Sequence, residues 1–171
     1  MKFTKTRFKD LIIYNGRNFK DHRGFFREIY IEKGIKKKLP FFCLSQSKKN
    51  VLRGLHVQTK NPQGKYISVV KGKIFDVAVD LRKKSPTFGK YFSIILSGKN
   101  CKSLYIPPNF AHGFLALAKD NYVLYGNTRY RNEKSECGIK WDDKDLKIKW
   151  PIKKPILSEK DKENDDFKNF K

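Results

Sequence analysis

The densest run of chemically capable residues is Val51-Leu52-Arg53-Gly54-Leu55-His56-Val57-Gln58, followed by Gln63-Gly64-Lys65. With Leu55 and Val57 on one side of a strand, His56 faces the other, and Arg53 lies nearby across a turn softened by Gly54. An imidazole that titrates near neutrality is suited to abstracting a proton. An arginine and a lysine beside it can hold phosphate or stabilise an oxyanion. The same residues also fit a hydrogen-bonded core histidine next to a surface arginine, and spacing alone does not choose between the two.

Two further places carry candidate groups. His112 sits in Pro107-Pro108-Asn109-Phe110-Ala111-His112-Gly113-Phe114, where prolines fix the approach to a strand and small neighbours leave room for a ligand. A turn histidine capping a carbonyl is an equally common use of such a residue. Asp21-His22-Arg23-Gly24-Phe25-Phe26-Arg27-Glu28 reads as a turn entering an edge strand, with Arg23 and Glu28 as an exposed ion pair or as ligand contacts. A three-histidine metal site would need every histidine in the chain, His22, His56 and His112, and His56-Val57-Gln58 lacks the second imidazole of a His-x-His strand. No metal is expected.

The elements that must position these groups read as short strands punctuated by Gly, Pro, Asn and Asp. Strands are expected over 65–70, 74–81, 91–96, 104–106, 114–118 and 122–127. In the second of them Phe75, Val77, Val79 and Leu81 take one face and Ile74, Asp76, Ala78 and Asp80 the other. Helix signals are confined to 31–39 and to the tail after Ser158. The pattern predicts an all-β, antiparallel sandwich or small barrel of the jelly-roll kind.

Composition narrows the function classes. The 171 residues are enough for one core, and 39% hydrophobic with 14% aromatic residues exclude a disordered chain. The longest nearly apolar run, 114–118, is far too short to span a membrane. Met1-Lys2-Phe3-Thr4-Lys5 has no apolar stretch behind its charges, so no signal peptide and a cytoplasmic location are expected. Cys43, Cys101 and Cys137 are scattered and odd in number, which suits a reducing compartment. The 39 Lys and Arg against 17 acids give a formal charge of +22, which attracts polyanions. Yet 31 of those cations are lysines spread along the chain, without a basic helical stripe or a nucleic-acid motif. A lysine-rich surface is the simpler reading, and neither a nucleic-acid nor a membrane partner is expected. A non-catalytic, polyanion-binding β module is the competing class.

Several stretches taken together resemble the dTDP-4-dehydrorhamnose 3,5-epimerase family. They are Phe19-Lys20-Asp21-His22-Arg23-Gly24-Phe25-Phe26, Val51 to Gln58, Phe75-Asp76-Val77-Ala78-Val79-Asp80-Leu81-Arg82, Ser85-Pro86-Thr87-Phe88-Gly89, Ile106 to Phe114, Trp141-Asp142-Asp143 and Leu157-Ser158-Glu159-Lys160-Asp161. No one of them is specific, but their order and spacing are. The resemblance implies a cupin-like jelly roll with short peripheral helices, occupying 1–171 as one domain. About 1–45 would form an N-terminal edge segment and 158–171 a charged C-terminal tail. It implies a cofactor-free epimerase acting at C3 and C5 of a nucleotide-linked 4-keto-6-deoxyhexose.

By position, the resemblance makes His56 the general base and Asp161 its paired carboxylate. It makes Tyr125 the acid on the opposite face of the sugar and Lys65 the group near the C4 carbonyl oxygen. It assigns substrate binding to Arg23, Glu28, Arg53, His112, Tyr130, Arg131, Glu136 and Lys160. It also implies a homodimer in which an N-terminal segment is exchanged, and Phe25, Phe26 and Tyr30 would suit such an edge. Two departures stand out. Phe41-Phe42-Cys43 falls where the family carries a polar run, and Arg131 falls where an aromatic stacks on the nucleotide base. A 3-epimerase or 5-epimerase of a related deoxysugar pathway therefore stays open.

Overall fold

A computed structural model describes residues 2–170 of the chain. Among the described residues there are thirteen strands, and two antiparallel sheets stack face to face. One sheet runs, in spatial order, β1 (Lys2–Lys5), β2 (Ile12–Asn15), β10 (Lys102–Ile106), β7 (Lys65–Lys71), β12 (Asp120–Asn127) and β5 (Phe41–Lys48). The other runs β13 (Glu136–Gly138), β6 (Leu52–Gln58), β11 (Phe110–Ala116), β8 (Lys73–Asp80) and β9 (Tyr91–Ser97). From β5 to β8, and again from β9 to β12, successive strands alternate between the sheets, which is the jelly-roll path. A separate hairpin, β3 (Phe19–Asp21) with β4 (Gly24–Phe26), stands apart from both.

The alternation read along 74–81 is the one the sheets use. Ile74 and Ala78 point between the sheets and pack with Ile67, Val69, Leu104, Ile106, Phe110, Phe114 and Val123. Val77 and Val79 point outward, yet they are buried under Ile139, Leu146 and Phe167 of the C-terminal segment. The outer face of the larger sheet carries Tyr14, Tyr66 and Tyr105, covered by Ile35 and Leu39. Both sheets therefore have protein on their outer faces as well as between them, and helices of any length are not needed to cover them.

The structure moves some expected boundaries. The strand expected from 114 begins at Phe110, because the turn at Pro107-Pro108-Asn109 (Asn109 at φ 64) is complete before it. The helix expected over 31–39 is the single turn α1 (Glu32–Ile35), stopped by Lys36 in the left-handed region. The C-terminal segment is no solvated charge run: Ser158 caps the one-turn helix α2 (Glu159–Lys162), and Asp161 and Phe167 are buried. Among the described residues no helix is long and apolar enough to cross a membrane.

Candidate active site

One end of the space between the sheets is polar. On the larger sheet, cross-strand neighbours in successive rows are Ser45–Val123–Val69, Cys43–Tyr125–Ile67 and Phe41–Asn127–Lys65. Reading along the rows, an apolar floor gives way to a phenol, an amide and an ammonium. On the facing sheet His112 is the direct cross-strand neighbour of both His56 and Ala78. These groups line a cleft of about 230 Å³, whose wall includes Phe41, Cys43, Arg53, His56, Lys65, His112, Tyr125, Arg131 and Glu136.

The β6–β11 contact that sets the two histidines side by side requires glycines. Gly54 adopts φ +113, and a Cβ there would lie 2.6 Å from the His112 carbonyl oxygen. Gly113 faces it, with a Cβ position 2.7 Å from the Arg53 carbonyl oxygen. The backbones approach closely only because both side chains are absent, and the register slips at this point. The slip turns Arg53 as well as His56 toward the cleft.

His56 Nε2 shares a 2.5 Å hydrogen bond with Asp161 Oδ1; the imidazole is 36% exposed and the carboxylate 4%. Asp161 reaches His56 from far along the chain because 155–161 continues the edge of β6. Val51 bridges Ile156, and the Leu52 N–H donates to the Ile156 carbonyl. Burial would raise the Asp161 pKa, but the hydrogen bond and charge of His56 and the Ser158 hydroxyl outweigh it and hold it below the usual value. With Nε2–H engaged by a carboxylate, Nδ1 carries the free lone pair, so the ring can accept a proton.

Across the cleft, the half-buried Tyr125 hydroxyl lies 3.2 Å from Ser45 Oγ. Burial pushes its phenol well above the ordinary value, against the hydrogen bond from Ser45, so it is a protonated donor at neutral pH. Burial also pulls the Lys65 ammonium below its usual value, opposed by Glu136, Cys43 and Asp76. His112 is held differently: its Nε2 bonds Asp76 Oδ2 at 2.8 Å, and both groups are buried. At the rim, Arg53 donates to Ser47 Oγ (2.9 Å) and to the Gln46 carbonyl (3.1 Å). Arg131 grips Glu136 through two 2.8 Å hydrogen bonds, and Lys160 Nζ approaches the same carboxylate at 3.4 Å. Arg131 foremost, against burial, holds Glu136 down to about 2.

Of the residues singled out from the sequence, His56, Tyr125, Lys65, Arg53, His112, Arg131 and Glu136 share the cleft, and Asp161 and Lys160 attach to its walls. Tyr130 is exposed and packs its ring against Phe41, 6.2 Å between centroids. Arg23 and Glu28 lie elsewhere. Arg23 pairs with Asp21 two residues away, not with Glu28, because the tight Asp21–Gly24 turn folds its guanidinium back onto that carboxylate (2.6 Å). Glu28 lines a separate hollow with Lys2, Arg17 and Phe19. Sequence reasoning passed over Asp76, Ser45, Asn127 and Ser158. An acid at position 76 among Ile74 and Ala78 on an inward face is itself a signal, since a buried carboxylate demands a partner. Among the described residues no group of three or more His, Cys, Asp or Glu is arranged to hold a metal ion.

An imidazole able to take a proton and a phenol able to give one line the same cleft from its two sheets, with cations at the rim, an arrangement suited to moving protons on an anionic ligand. Known proteins agree in kind. The family model described as dTDP-4-dehydrorhamnose 3,5-epimerase matches residues 5–169. The protein of that name from Salmonella typhimurium is 46% identical over 165 residues, covering 92% of this chain and 90% of its own. The crystal structure of dTDP-6-deoxy-D-glucose-3,5-epimerase from Legionella pneumophila, in complex with dTDP-4-keto-L-rhamnose, superposes with a TM-score of 0.93 at 39% identity, covering 98% of this chain and 93% of that one. The dTDP-4-dehydrorhamnose 3,5-epimerase of Bacillus anthracis, with TDP and PPi bound, gives 0.93 at 39% identity over 96% and 98% of the two chains. Matched from end to end in sequence and in backbone, the chain belongs to the dTDP-4-dehydrorhamnose 3,5-epimerase family.

Proposed function

We propose that the protein inverts C5 and C3 of dTDP-4-dehydro-6-deoxyglucose, giving dTDP-4-dehydrorhamnose. The observation that carries this reading is the His56–Asp161 pair on one wall of a cleft whose opposite wall presents the Tyr125 phenol. A proton beside the C4 ketone is removable because the electron pair left on carbon delocalises onto the carbonyl oxygen. His56 takes that proton from C5, and the electrons of the C–H bond form the enolate. Lys65 stands where the oxygen's charge develops, which stabilises the transition state more than the ground state. Tyr125 then returns a proton to the other face of the carbon, the enolate collapses to the ketone, and the centre is inverted. His56 releases its proton to solvent and the Tyr125 phenolate takes one back, and the same cycle at C3 then completes the reaction. Electrons are conserved throughout, so the chemistry needs no redox partner. Arg53, His112, Arg131, Glu136 and Lys160 hold the nucleotide sugar, with Arg53 and Lys160 toward the diphosphate and the Arg131 plane toward the base.

Arg23 and Glu28 do not reach the cleft of their own chain, and the hairpin carrying Arg23 exposes Phe25 and Phe26. We therefore place them in the cleft of a second copy, in a homodimer that exchanges the N-terminal hairpin. The mass in solution at micromolar concentration tests this: a dimer is expected, and a monomer overturns it. The nucleotide-sugar substrate points to the cytoplasm as the place of action.

The test of the reaction is NMR of the protein with dTDP-4-dehydro-6-deoxyglucose in deuterated water. Deuterium entering at both C3 and C5, with the ring inverted, is the expected result. Entry at one carbon alone makes the protein a 3-epimerase or 5-epimerase. Entry at neither removes the epimerase reading for this substrate.

A further inference from the structure

Asp161 is fixed from a second side. Ser158 Oγ donates to Asp161 Oδ2 at 2.9 Å, while the Asp161 N–H donates back to Ser158 Oγ at 3.2 Å. The Gly54 N–H also hydrogen-bonds this carboxylate. Oδ1 is thereby left to His56, and the plane of the carboxylate is set before any substrate arrives. Ser158 itself cannot drift, because Ile156, two residues earlier, is tied to β6 by hydrogen bonds at Asn50 and Leu52. Downstream, Asn164 Nδ2 donates to the Gly54 carbonyl, and Asn164 occupies the space a side chain at Gly138 would need. Gly138 in turn is the cross-strand neighbour of His56. The C-terminal segment therefore grips β6 on both sides of the dyad.

We propose that Ser158 is a positioning residue for the epimerisation, its hydroxyl aiming the Asp161 carboxylate at His56. This rests on the reading of His56 as the base. Without the Ser158 hydrogen bond Oδ2 loses its hydroxyl donor, and the carboxylate is free to rotate away from His56. The anion then becomes more basic, and its hold on His56 Nε2 loses its fixed direction.

Ser158 is also the helix cap, and the experiment must separate the two roles. Ser158→Gly removes the hydroxyl while leaving the helix start with a residue that caps nearly as well. Ser158→Asp keeps the cap but replaces the donor by a like charge against Asp161, and Ser158→Thr keeps both functions. The rate of deuterium entry and the pH profile of kcat/KM are measured for each, alongside His56→Ala. Ser158→Gly and Ser158→Asp are expected to lose about tenfold or more in kcat with KM within twofold, and to shift the acidic limb of the profile upward. Ser158→Thr is expected within twofold of wild type. Wild-type rates in Ser158→Gly and Ser158→Asp, or a loss lying wholly in KM, overturn the inference. If Ser158→Gly fails to fold, the Ser158→Asp and Ser158→Thr pair carries the test, and a wild-type rate in Ser158→Asp overturns the inference. If His56→Ala keeps its activity, the base assignment falls first, and that outcome is distinct from a silent Ser158.

Discussion

Two histidine–carboxylate pairs lie side by side on neighbouring strands, and they are built to opposite specifications. His56 and His112 are direct cross-strand partners, and each gives Nε2 to an aspartate. The first imidazole is 36% exposed to the cleft, whereas the second is 4% exposed. The carboxylate of the first comes from 105 residues away and is satisfied by Ser158 and Gly54 as well. That of the second comes from the adjacent strand β8, and its Oδ1 has no partner. A pair that must gain and lose a proton in each turnover needs access to substrate and a carboxylate anchored independently of the ring. A pair that only holds shape needs neither. On the proposed reading the chemistry belongs to the exposed pair, and the buried pair holds the His112 ring in the wall that the nucleotide sugar meets.

The largest effect that could break this contrast is on proton exchange. His56→Ala is expected to cut deuterium entry on the order of a thousandfold, with the far-UV spectrum unchanged. Tyr125→Phe, which removes the acid from the opposite wall, is expected to cut inversion on the order of a hundredfold. It should leave residual exchange with retention, since His56 can return a deuteron to the face it came from. Equal loss of exchange in both variants would mean that the two residues act on the same face.

Next in size is stability, where the order reverses. His112→Ala takes from the buried Asp76 carboxylate its hydrogen-bond partner, a change that costs about 3 kcal/mol. His56→Ala leaves the buried Asp161 its serine donor and opens it to the cleft, and a smaller loss of about 1 kcal/mol is expected. Urea unfolding midpoints measure both, and similar losses would erase the distinction. Acid adds a sign. A carboxylate held below its unfolded value stabilises the fold above that value and loses the contribution as the pH falls through the folded one. Asp161 is such a group, on balance, because His56 and Ser158 outweigh its burial. Asp161→Asn should therefore be less stable at neutral pH and lose less on going to pH 3 than the wild type does.

The contrast between the pairs was only half legible in the sequence. The inward and outward faces of 74–81 follow from alternation alone, and both sheets use them as read. The strands β1 and β5 escaped, because edge strands broken by lysine and serine show little period-two contrast when one face looks onto solvent or onto a polar cleft, and β2 escaped because its four residues are too few to show a period. In the site, strand phase put His56 on the face opposite Leu55 and Val57. The approach of Asp161 could not be seen that way, because it depends on a chain reversal through 139–156 that no local pattern encodes. Only the serine three residues before Asp161, a capping signature, hinted that a turn begins there. Asp76 was legible as an inward acid but not as the partner of His112, since the pairing of β8 with β11 is a tertiary fact.

The smallest expected effect tests the rim, where neither histidine pair acts. Arg131 is pinned flat by two hydrogen bonds to Glu136 and one to Glu133. Its charge is largely neutralised by these carboxylates, so what it offers a nucleotide is a plane more than a cation. Guanidinium and aromatic planes both stack on bases, at about 1–3 kcal/mol per base. Arg131→Ala is therefore expected to raise KM for the nucleotide sugar about tenfold, near the low end of that range, with kcat unchanged. Arg131→Tyr should restore KM, because it restores a plane. Arg131→Lys should not, because it restores only a charge. Rescue by lysine and not by tyrosine would instead assign Arg131 to the diphosphate and leave base stacking to Tyr130, whose exposed ring already rests against Phe41.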